Sequence, residues 1–133
     1  MAGDIVITVG GGGIPVVETE QGLKGVAAVI DKDRSSALLA QSIGADMLII
    51  LTAVDRVCIN YNKPDQKELP IMTLEEAEKY IEEKQFAPGS MLPKVQSCME
   101  FVKNNTHGGT ALITSLQKAK VALQGETGTI ITK

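Results

Sequence analysis

The sequence predicts an α/β domain with an open, mainly parallel sheet and helices on both faces, a three-layer α/β/α arrangement. One reason is that strand-like apolar runs alternate with helical patterns, as they do where helices connect parallel strands. Another is the uninterrupted apolar run Met47–Leu51, which is typical of a strand covered on both faces. With 133 residues, 44% of them hydrophobic, the chain can bury one core, so we expect a single domain over residues 1–133.

Periodicity and capping signals place the individual elements. In chain order we expect a buried strand at 4–9, a surface excursion at 18–25, an edge strand or turn at 26–30, a helix capped by Asp33 and ended by Gly44, a strand at 47–51, a hairpin of 57–60 with 69–71, helices at 73–84 and 90–103, a strand at 110–114, a helix at 115–123 and a strand at 128–131. Open α/β sheets bind ligands beyond the carboxyl ends of their strands, so the loops after 4–9 and 47–51 are candidate sites.

Composition excludes several classes of function. A formal net charge of -3 without clustered Lys and Arg argues against a nucleic-acid-binding or anionic-membrane-binding protein. No apolar run approaches the roughly 20 residues that cross a bilayer. The first four residues also lack the pattern of a signal peptide, so we expect a cytoplasmic protein. Cys58 and Cys98 show no metal-ligand spacing and are interpreted as reduced core residues.

Four consecutive glycines, Gly10, Gly11, Gly12 and Gly13, form the first candidate binding site. They follow a predicted strand, and a loop without Cβ atoms lets backbone N–H groups approach an anion. The dinucleotide-binding fingerprint fails, because Pro15 stands where its third glycine belongs. The loop is therefore interpreted as an anion contact, with a plain tight connection as the alternative.

Two lysines in defined turns form the second candidate site. Lys32 lies between Asp31 and Asp33 at a helix start, where the alternative to a binding role is a solvated charge cluster. Asp33 could hold Lys32, and a second lysine with it, in position for a phosphoryl group. Lys94 lies in the first turn of the helix after Gly89-Ser90, where a cation is unfavourable unless an anion binds the helix N-terminus.

The segment Thr52, Ala53, Val54 and Asp55 follows the carboxyl end of the predicted strand 47–51. Ligands of open α/β sheets bind at such ends. Asp55 is expected either to bond a ribose hydroxyl or to cap the turn. The single histidine, His107, has no Ser, Cys or second His in a recognisable relation to it, so we expect no catalytic role there.

These motifs resemble the carboxyl-terminal half of carbamate kinases, within the amino-acid kinase fold. The matching segments, in the same order and at similar spacing, are Gly10-Gly11-Gly12-Gly13-Ile14-Pro15, Val29-Ile30-Asp31-Lys32-Asp33, Ile50-Leu51-Thr52-Ala53-Val54-Asp55, Gly89-Ser90-Met91-Leu92-Pro93-Lys94 and Gly125-Glu126-Thr127-Gly128-Thr129. The resemblance covers essentially the whole chain, so it implies that residues 1–133 are the nucleotide-binding half of such an enzyme.

The resemblance implies a role for each candidate. It places Lys32 and Lys94 on the transferred phosphates, with Asp33 organising the two lysines. It places the loop Gly10 to Gly13 near the phosphoryl or carbamate group. The nucleotide is expected near the remaining candidates, which are Thr52, Ala53, Val54, Asp55, Gly89, Ser90 and Met91.

The resemblance also implies an activity and partners. Carbamate kinases exchange a phosphoryl group between carbamoyl phosphate and MgADP, giving carbamate and ATP. We therefore expect ADP or ATP and carbamoyl phosphate as ligands, with Mg²⁺ bound through the nucleotide phosphates rather than by protein ligands. The amino-terminal half, which supplies another glycine-rich motif, a further lysine and most of the carbamate pocket, would be a missing partner. The complete protein is expected to be a homodimer, and this chain alone to be inactive.

Four positions depart from the family pattern. Ala53 stands where an aspartate is usual, Arg56 replaces a smaller or polar residue, and Pro88 and Leu92 flank the Gly-Ser-Met turn. These changes would alter the nucleotide loops. The leading hypothesis is phosphoryl transfer of the carbamate kinase type. One alternative is a non-catalytic nucleotide-binding or regulatory module of the same fold, and another is an acyl-phosphate kinase acting on an amino acid carboxylate or UMP.

Overall fold

A computed structural model describes residues 3–133, and its main feature is a four-stranded mixed sheet. The elements in chain order are β1 (Val16–Thr19), β2 (Gly22–Gly25), α1 (Lys32–Ser42), β3 (Met47–Thr52), β4 (Val57–Ile59), β5 (Lys67–Leu69), β6 (Ile71–Thr73), α2 (Leu74–Glu82), α3 (Met91–Asn104), β7 (Thr110–Ser115), a 3₁₀ turn (Leu116–Lys118), α4 (Ala119–Ala122) and β8 (Thr129–Thr132). Among these residues no helix is both long and apolar enough to span a membrane.

The main sheet has the strand order β3-β7-β8-β6. β3 and β7 run parallel, β6 and β8 run parallel, and β7 and β8 run antiparallel. Two small antiparallel hairpins, β1–β2 and β4–β5, lie outside this sheet. The mixed α/β class predicted from the sequence is confirmed, with one antiparallel pair at the centre of the sheet.

Side-chain caps explain why the first two helices begin where they do. The carboxylate of Asp31 accepts hydrogen bonds from the backbone N–H groups of Asp33 and Arg34, at 2.8 and 3.2 Å. The N-cap of α1 is therefore Asp31, and the prediction that Asp33 caps this helix is wrong. Thr73 and Glu76 form the predicted capping box at the start of α2.

Helix α3 supplies the central layer of the core. Its residues Val95, Cys98 and Val102 are fully buried, and Met99 packs against the same core, as the i, i+3, i+4, i+7 spacing predicts. This face packs on β7, β8 and β3, while α1 packs against α3. The packing brings the first turns of α1 and α3 together, and these turns carry the predicted lysines.

A buried threonine joins the β4–β5 hairpin to the main sheet. The hydroxyl of Thr129 accepts a hydrogen bond from the Val57 N–H at 2.8 Å and donates one to the Leu69 carbonyl at 2.5 Å. Val57 begins β4 and Leu69 ends β5, so one side chain of β8 fixes the open end of the hairpin. The prediction of a hairpin that begins at Val57 is confirmed, but its second strand is Lys67–Leu69 rather than 69–71, and Ile71 begins β6 of the main sheet.

The prediction of a strand at 4–9 is wrong, since these residues form no strand. Residues 26–30, expected as an edge strand or turn, contain a bend at Ala27 and no strand. The segment 18–25 is exposed, as expected for a surface excursion, and carries most of the hairpin β1–β2. A strand needs a hydrogen-bonded neighbour, and residues 4–9 have none within the described part of the chain. β3 lies at an edge of the sheet, and its alternate residues Met47, Ile49 and Leu51 are partly exposed, so the prediction of a strand covered on both faces is wrong.

The amino-terminal segment exposes apolar side chains that globular proteins normally bury. Ile5 and Ile7 are each 98% exposed, and Val29 is 94% exposed. Burying one such side chain is worth about 1.5 to 3 kcal/mol. An unpaired strand edge at β3 and an apolar extended segment together favour association.

We therefore expect the chain to self-associate as its concentration rises. Sedimentation velocity should show an increasing weight-average mass, and the double substitution Ile5→Thr with Ile7→Thr should reduce the association. Because both side chains are exposed, the variant should fold as the parent does. Leu123→Thr, at a partly exposed apolar position on another part of the surface, is the control. A monomeric parent chain at high concentration, without exposed apolar surface in a dye-binding assay, would contradict the prediction.

Candidate functional site

Three charged side chains meet at the facing first turns of α1 and α3. The Lys94 ammonium lies 2.9 Å from the Asp33 carboxylate and donates a hydrogen bond to it. The Lys32 ammonium lies 3.7 Å from the same carboxylate oxygen. The Lys94 and Asp33 side chains are 13% and 11% exposed, whereas that of Lys32 is 58% exposed. One nearly buried carboxylate therefore holds two lysines, and the more exposed lysine can reach solvent.

The local structure explains why Asp33 occupies this position. Asp31 caps α1, so Asp33 falls in the first helical turn, where a carboxylate complements the helix dipole. Lys94 lies in the first turn of α3, where its charge opposes the dipole. The ion pair with Asp33 offsets that cost, and it leaves the lysines close to two helix N-termini, which favour anions.

The glycine loop lies against the start of α1. A Cβ atom at Gly12 would collide with the Ile30 carbonyl oxygen, and the backbone at Gly12 has a φ of +143°, so a side chain does not fit. A Cβ at Gly13 would lie 3.6 Å from the Ser35 hydroxyl. The N–H groups of Gly10 and Gly12 donate to the carbonyls of Thr8 and Val9, just before the loop. The loop thus approaches the turn that carries Lys32 and Asp33.

A cavity of about 430 Å³ opens beside the start of α3. Its floor is the end of β3 and the residues that follow, one wall is the β4–β5 hairpin, and the other wall is the loop between α2 and α3. The lining residues are Thr52, Ala53, Val54, Arg56, Cys58, Asn60, Tyr61, Lys63, Lys84, Gln85, Phe86, Ala87, Ser90 and Met91. The volume falls in the range of small-molecule sites.

Five of the seven predicted nucleotide residues line this cavity, namely Thr52, Ala53, Val54, Ser90 and Met91. Asp55 and Gly89 are exposed and lie outside the lining. Met91 and Lys94 are three residues apart on α3, and residues at this spacing are neighbours on one helix face. The cavity and the lysine cluster are therefore adjacent along α3.

Comparison with known proteins identifies the family to which the chain belongs. The family model described as the Amino acid kinase family matches residues 1–115. The chain belongs to the amino acid kinase family. The family predicted from the motifs is confirmed at this level.

The similar proteins within the amino acid kinase family are named carbamate kinases. The chain is 61% identical over 132 residues to the carbamate kinase of Clostridium perfringens and 56% identical over 129 residues to that of Latilactobacillus sakei, covering 99% and 97% of this chain. A solved structure of carbamate kinase from Giardia lamblia bound to AMP-PNP superimposes with a TM-score of 0.86 at 45% identity, over 92% of this chain and 38% of that one. The chain spans 42% and 41% of the length of the two curated relatives.

Sequence reasoning did not find the basic side of the cavity in this amino acid kinase chain. Arg56, Lys63 and Lys84 line the cavity, and its lining contains no carboxylate. The family pattern marks Arg56 only as a departure. No local signal identifies Lys63 or Lys84 as cavity residues, because nothing in the neighbouring sequence indicates which surface a hairpin tip or a helix end faces.

The two thiols of this amino acid kinase chain have different surroundings. Both cysteines are free. Cys98 is fully buried one helical turn after Lys94, and burial, with Asp33 nearby, raises the pKa of its thiol strongly. Cys58 is only partly buried and lines the cavity, where partial burial and then Glu68 raise the pKa of its thiol. The prediction of a core residue is confirmed for Cys98 and wrong for Cys58.

Two further expectations concern residues outside the cluster. His107 is exposed in the loop before β7, and its backbone N–H donates to the Asn105 side chain. Within residues 3–133, no group of three or more His, Cys, Asp or Glu side chains is placed to hold a metal ion.

Removing Lys94 should cost more stability than removing a lysine from a surface pair. Lys94→Met leaves the nearly buried Asp33 with only the more distant Lys32, and we expect the free energy of unfolding to fall by about 2 kcal/mol. The control is Lys79→Met, which removes an exposed pair with Glu83 and should cost less than about 0.5 kcal/mol. Urea unfolding at neutral pH measures both values, and equal losses would show that the Lys94–Asp33 pair is not structurally important.

Proposed function

We propose that this chain is the ADP- and ATP-binding part of a phosphotransferase of the carbamate kinase type. In this proposal the complete enzyme transfers a phosphoryl group between carbamoyl phosphate and MgADP, giving ATP and carbamate. The chain corresponds to the carboxyl-terminal half and has little or no turnover alone. Residues 1–133 act as one domain.

The observation that carries the proposal is the nearly buried Asp33 between two lysines, next to a cavity of nucleotide size. Lys94 lies 2.9 Å from this carboxylate and Lys32 lies 3.7 Å from it. A cavity lined by Thr52 and Met91 adjoins the same turn of α3. A nucleoside in the cavity would direct its phosphates along α3 toward Lys94.

The proposed chemistry asks little of the protein beyond position and charge. Phosphoryl transfer passes through a transition state whose charge is spread over the phosphoryl oxygens, and fixed cations stabilise that charge. Lys32 and Lys94 would bind the phosphates, and Asp33 would position both ammonium groups without touching phosphate. Gly10, Gly11, Gly12 and Gly13 would border the phosphoryl or carbamate group, and Gly89 with Ser90 would shape the start of α3.

Mg²⁺ fits this proposal as part of the nucleotide. In this proposal the ion is held by the nucleotide phosphates rather than by protein ligands. When bound, it would neutralise phosphate charge. The protein residues would act on the same phosphates from the other side, through the two lysines.

The rest of the proposed assembly would complete the sheet and the second substrate site. A missing amino-terminal half would cover the edge of β3 and the apolar residues near Ile5 and Ile7, giving a three-layer α/β/α fold with a mainly parallel sheet. This is supported by the exposure of those side chains and by the share of the relatives' length that the chain covers. The complete protein would be a cytoplasmic homodimer.

A nucleotide-binding or regulatory module without catalysis is the second candidate. It is supported by the cavity and the lysine cluster, which together would suffice to bind a nucleotide without turnover. Such a module would bind the nucleotide with the same residues. The two candidates differ in whether a second polypeptide can restore turnover.

Binding of MgADP should be measurable by calorimetric titration of the folded chain. We expect saturable binding that Lys94→Ala weakens about tenfold or more, because a charge-assisted contact to phosphate is lost. Lys103→Ala, at an exposed position in the last turn of the same helix, is the control and should bind as the parent does. Circular dichroism confirms that each variant is folded. Absence of binding by the folded parent chain would contradict the proposal for the isolated chain.

Turnover should appear only when the missing half is supplied. The amino-terminal part of the Clostridium perfringens relative, added to this chain, should restore ATP formation from carbamoyl phosphate and ADP. The same mixture with Lys94→Ala should form far less ATP than the mixture with Lys103→Ala. A complex that assembles and binds MgADP but forms no ATP would favour the non-catalytic module.

A further inference from the structure

We propose that Arg56 is a positioning residue that holds the β4–β5 hairpin as a wall of the nucleotide cavity. The inference rests on the proposed function, because it concerns the affinity of the cavity for the nucleoside part of the nucleotide. It assigns a role to a side chain that the family motifs do not include. No contact between Arg56 and the phosphates is required.

Arg56 links three parts of the chain that are distant in sequence. Its guanidinium donates to the Glu68 carboxylate on β5 at 3.1 Å and to the Glu126 backbone carbonyl at 3.4 Å. The residue itself precedes β4 and lines the cavity. Glu126 lies in the turn that leads into β8 of the main sheet. One side chain, which itself lines the cavity, therefore ties the hairpin to the turn before β8 of the main sheet.

The hairpin has few other attachments near the cavity. Thr129 fixes its open end through Val57 and Leu69. At the far end, the Asn60 N–H donates to the Gln85 side chain at 2.9 Å, and this bond joins the two walls of the cavity. Cys58 lies along the wall between these attachments, and Tyr61 lies just beyond Asn60. The position of the hairpin therefore determines the width of the cavity. Arg56 fixes the hairpin at the end that lies next to the residues following β3.

An arginine suits this role better than a lysine. Its planar guanidinium donates in two directions at once, here to a carboxylate and to a carbonyl, whereas a lysine ammonium is a single point charge on a flexible stem. The Arg56 side chain is 29% exposed and that of Glu68 is 56% exposed. A pair this exposed contributes little to global stability, so its main effect should be local.

The test compares two ligands on the same variants. Arg56→Met removes both contacts, Glu68→Gln removes the charge of the partner, and Lys67→Met removes a charge from an exposed position on the same hairpin outside the cavity lining. Calorimetry measures the Kd of MgADP, which fills the cavity, and of magnesium pyrophosphate, which occupies only the phosphate end. Hydrogen exchange of the amides of residues 57–59 reports the hairpin without any ligand.

We expect Arg56→Met and Glu68→Gln to raise the Kd of MgADP about threefold to tenfold. The Kd of pyrophosphate should stay within about twofold of the parent value, as should both constants for Lys67→Met. Arg56→Lys should give an intermediate Kd for MgADP. The double variant of Arg56→Met with Glu68→Gln should bind no more weakly than Arg56→Met, because both changes break one link.

Two results would overturn the inference. One is an unchanged Kd of MgADP in Arg56→Met, and the other is an equal loss for MgADP and pyrophosphate, which would mean general damage to the fold. If the parent chain binds no MgADP, the proposed function fails for this chain, and hydrogen exchange decides the inference separately. Faster exchange at residues 57–59 in Arg56→Met than in Lys67→Met would support the link, and equal exchange would refute it.

Discussion

The ion pair between Lys94 and Asp33 is the contact on which the candidate site depends. It joins residues 61 positions apart and fixes the first turn of α3 against the first turn of α1. Lys32 is held by the same carboxylate, and the glycine loop packs against the chain that enters α1. The cavity begins one turn away on α3. The nearly buried Asp33 carboxylate is stable only with a cation beside it, which the lysines supply. The N-termini of α1 and α3 favour a bound anion at the same place.

Apolar side chains are well buried around α3 and largely exposed in the segment before α1. Nearly all of β7 and one face of α3 are buried, whereas Ile5, Ile7 and Val29 lie almost fully in solvent. The same asymmetry appears in the sheet, since β7 and β8 are flanked on both sides and β3 is paired on one side only. A phosphotransferase site lies at the boundary between these regions in our proposal. In this proposal the cavity that binds the nucleotide lies beside the start of α3, and the glycine loop lies in the poorly packed segment before α1.

Local signals predicted the helices and the hairpin well. The capping box of α2, the apolar face of α3 and Gly44 at the end of α1 depend on residues within a few positions of each other. A strand at residues 4–9 could not be decided in this way, because an apolar run becomes a strand only where another strand supplies hydrogen bonds. In the site, too, short-range patterns were predictable and long-range contacts were not. The two lysines and Asp33 lie in recognisable turn sequences, whereas the contact from Arg56 to Glu126 joins residues 70 positions apart, and no neighbouring residue indicates it.

The central claim is that the lysine cluster and the adjacent cavity form one nucleotide site. A crystal structure of the chain with MgADP would test it most directly. Our account predicts the base between the β4–β5 hairpin and the loop that joins α2 to α3, with the β-phosphate within hydrogen-bond distance of the Lys94 ammonium. A nucleotide bound elsewhere, or one bound with its phosphates directed away from Lys94 and Lys32, would contradict the account.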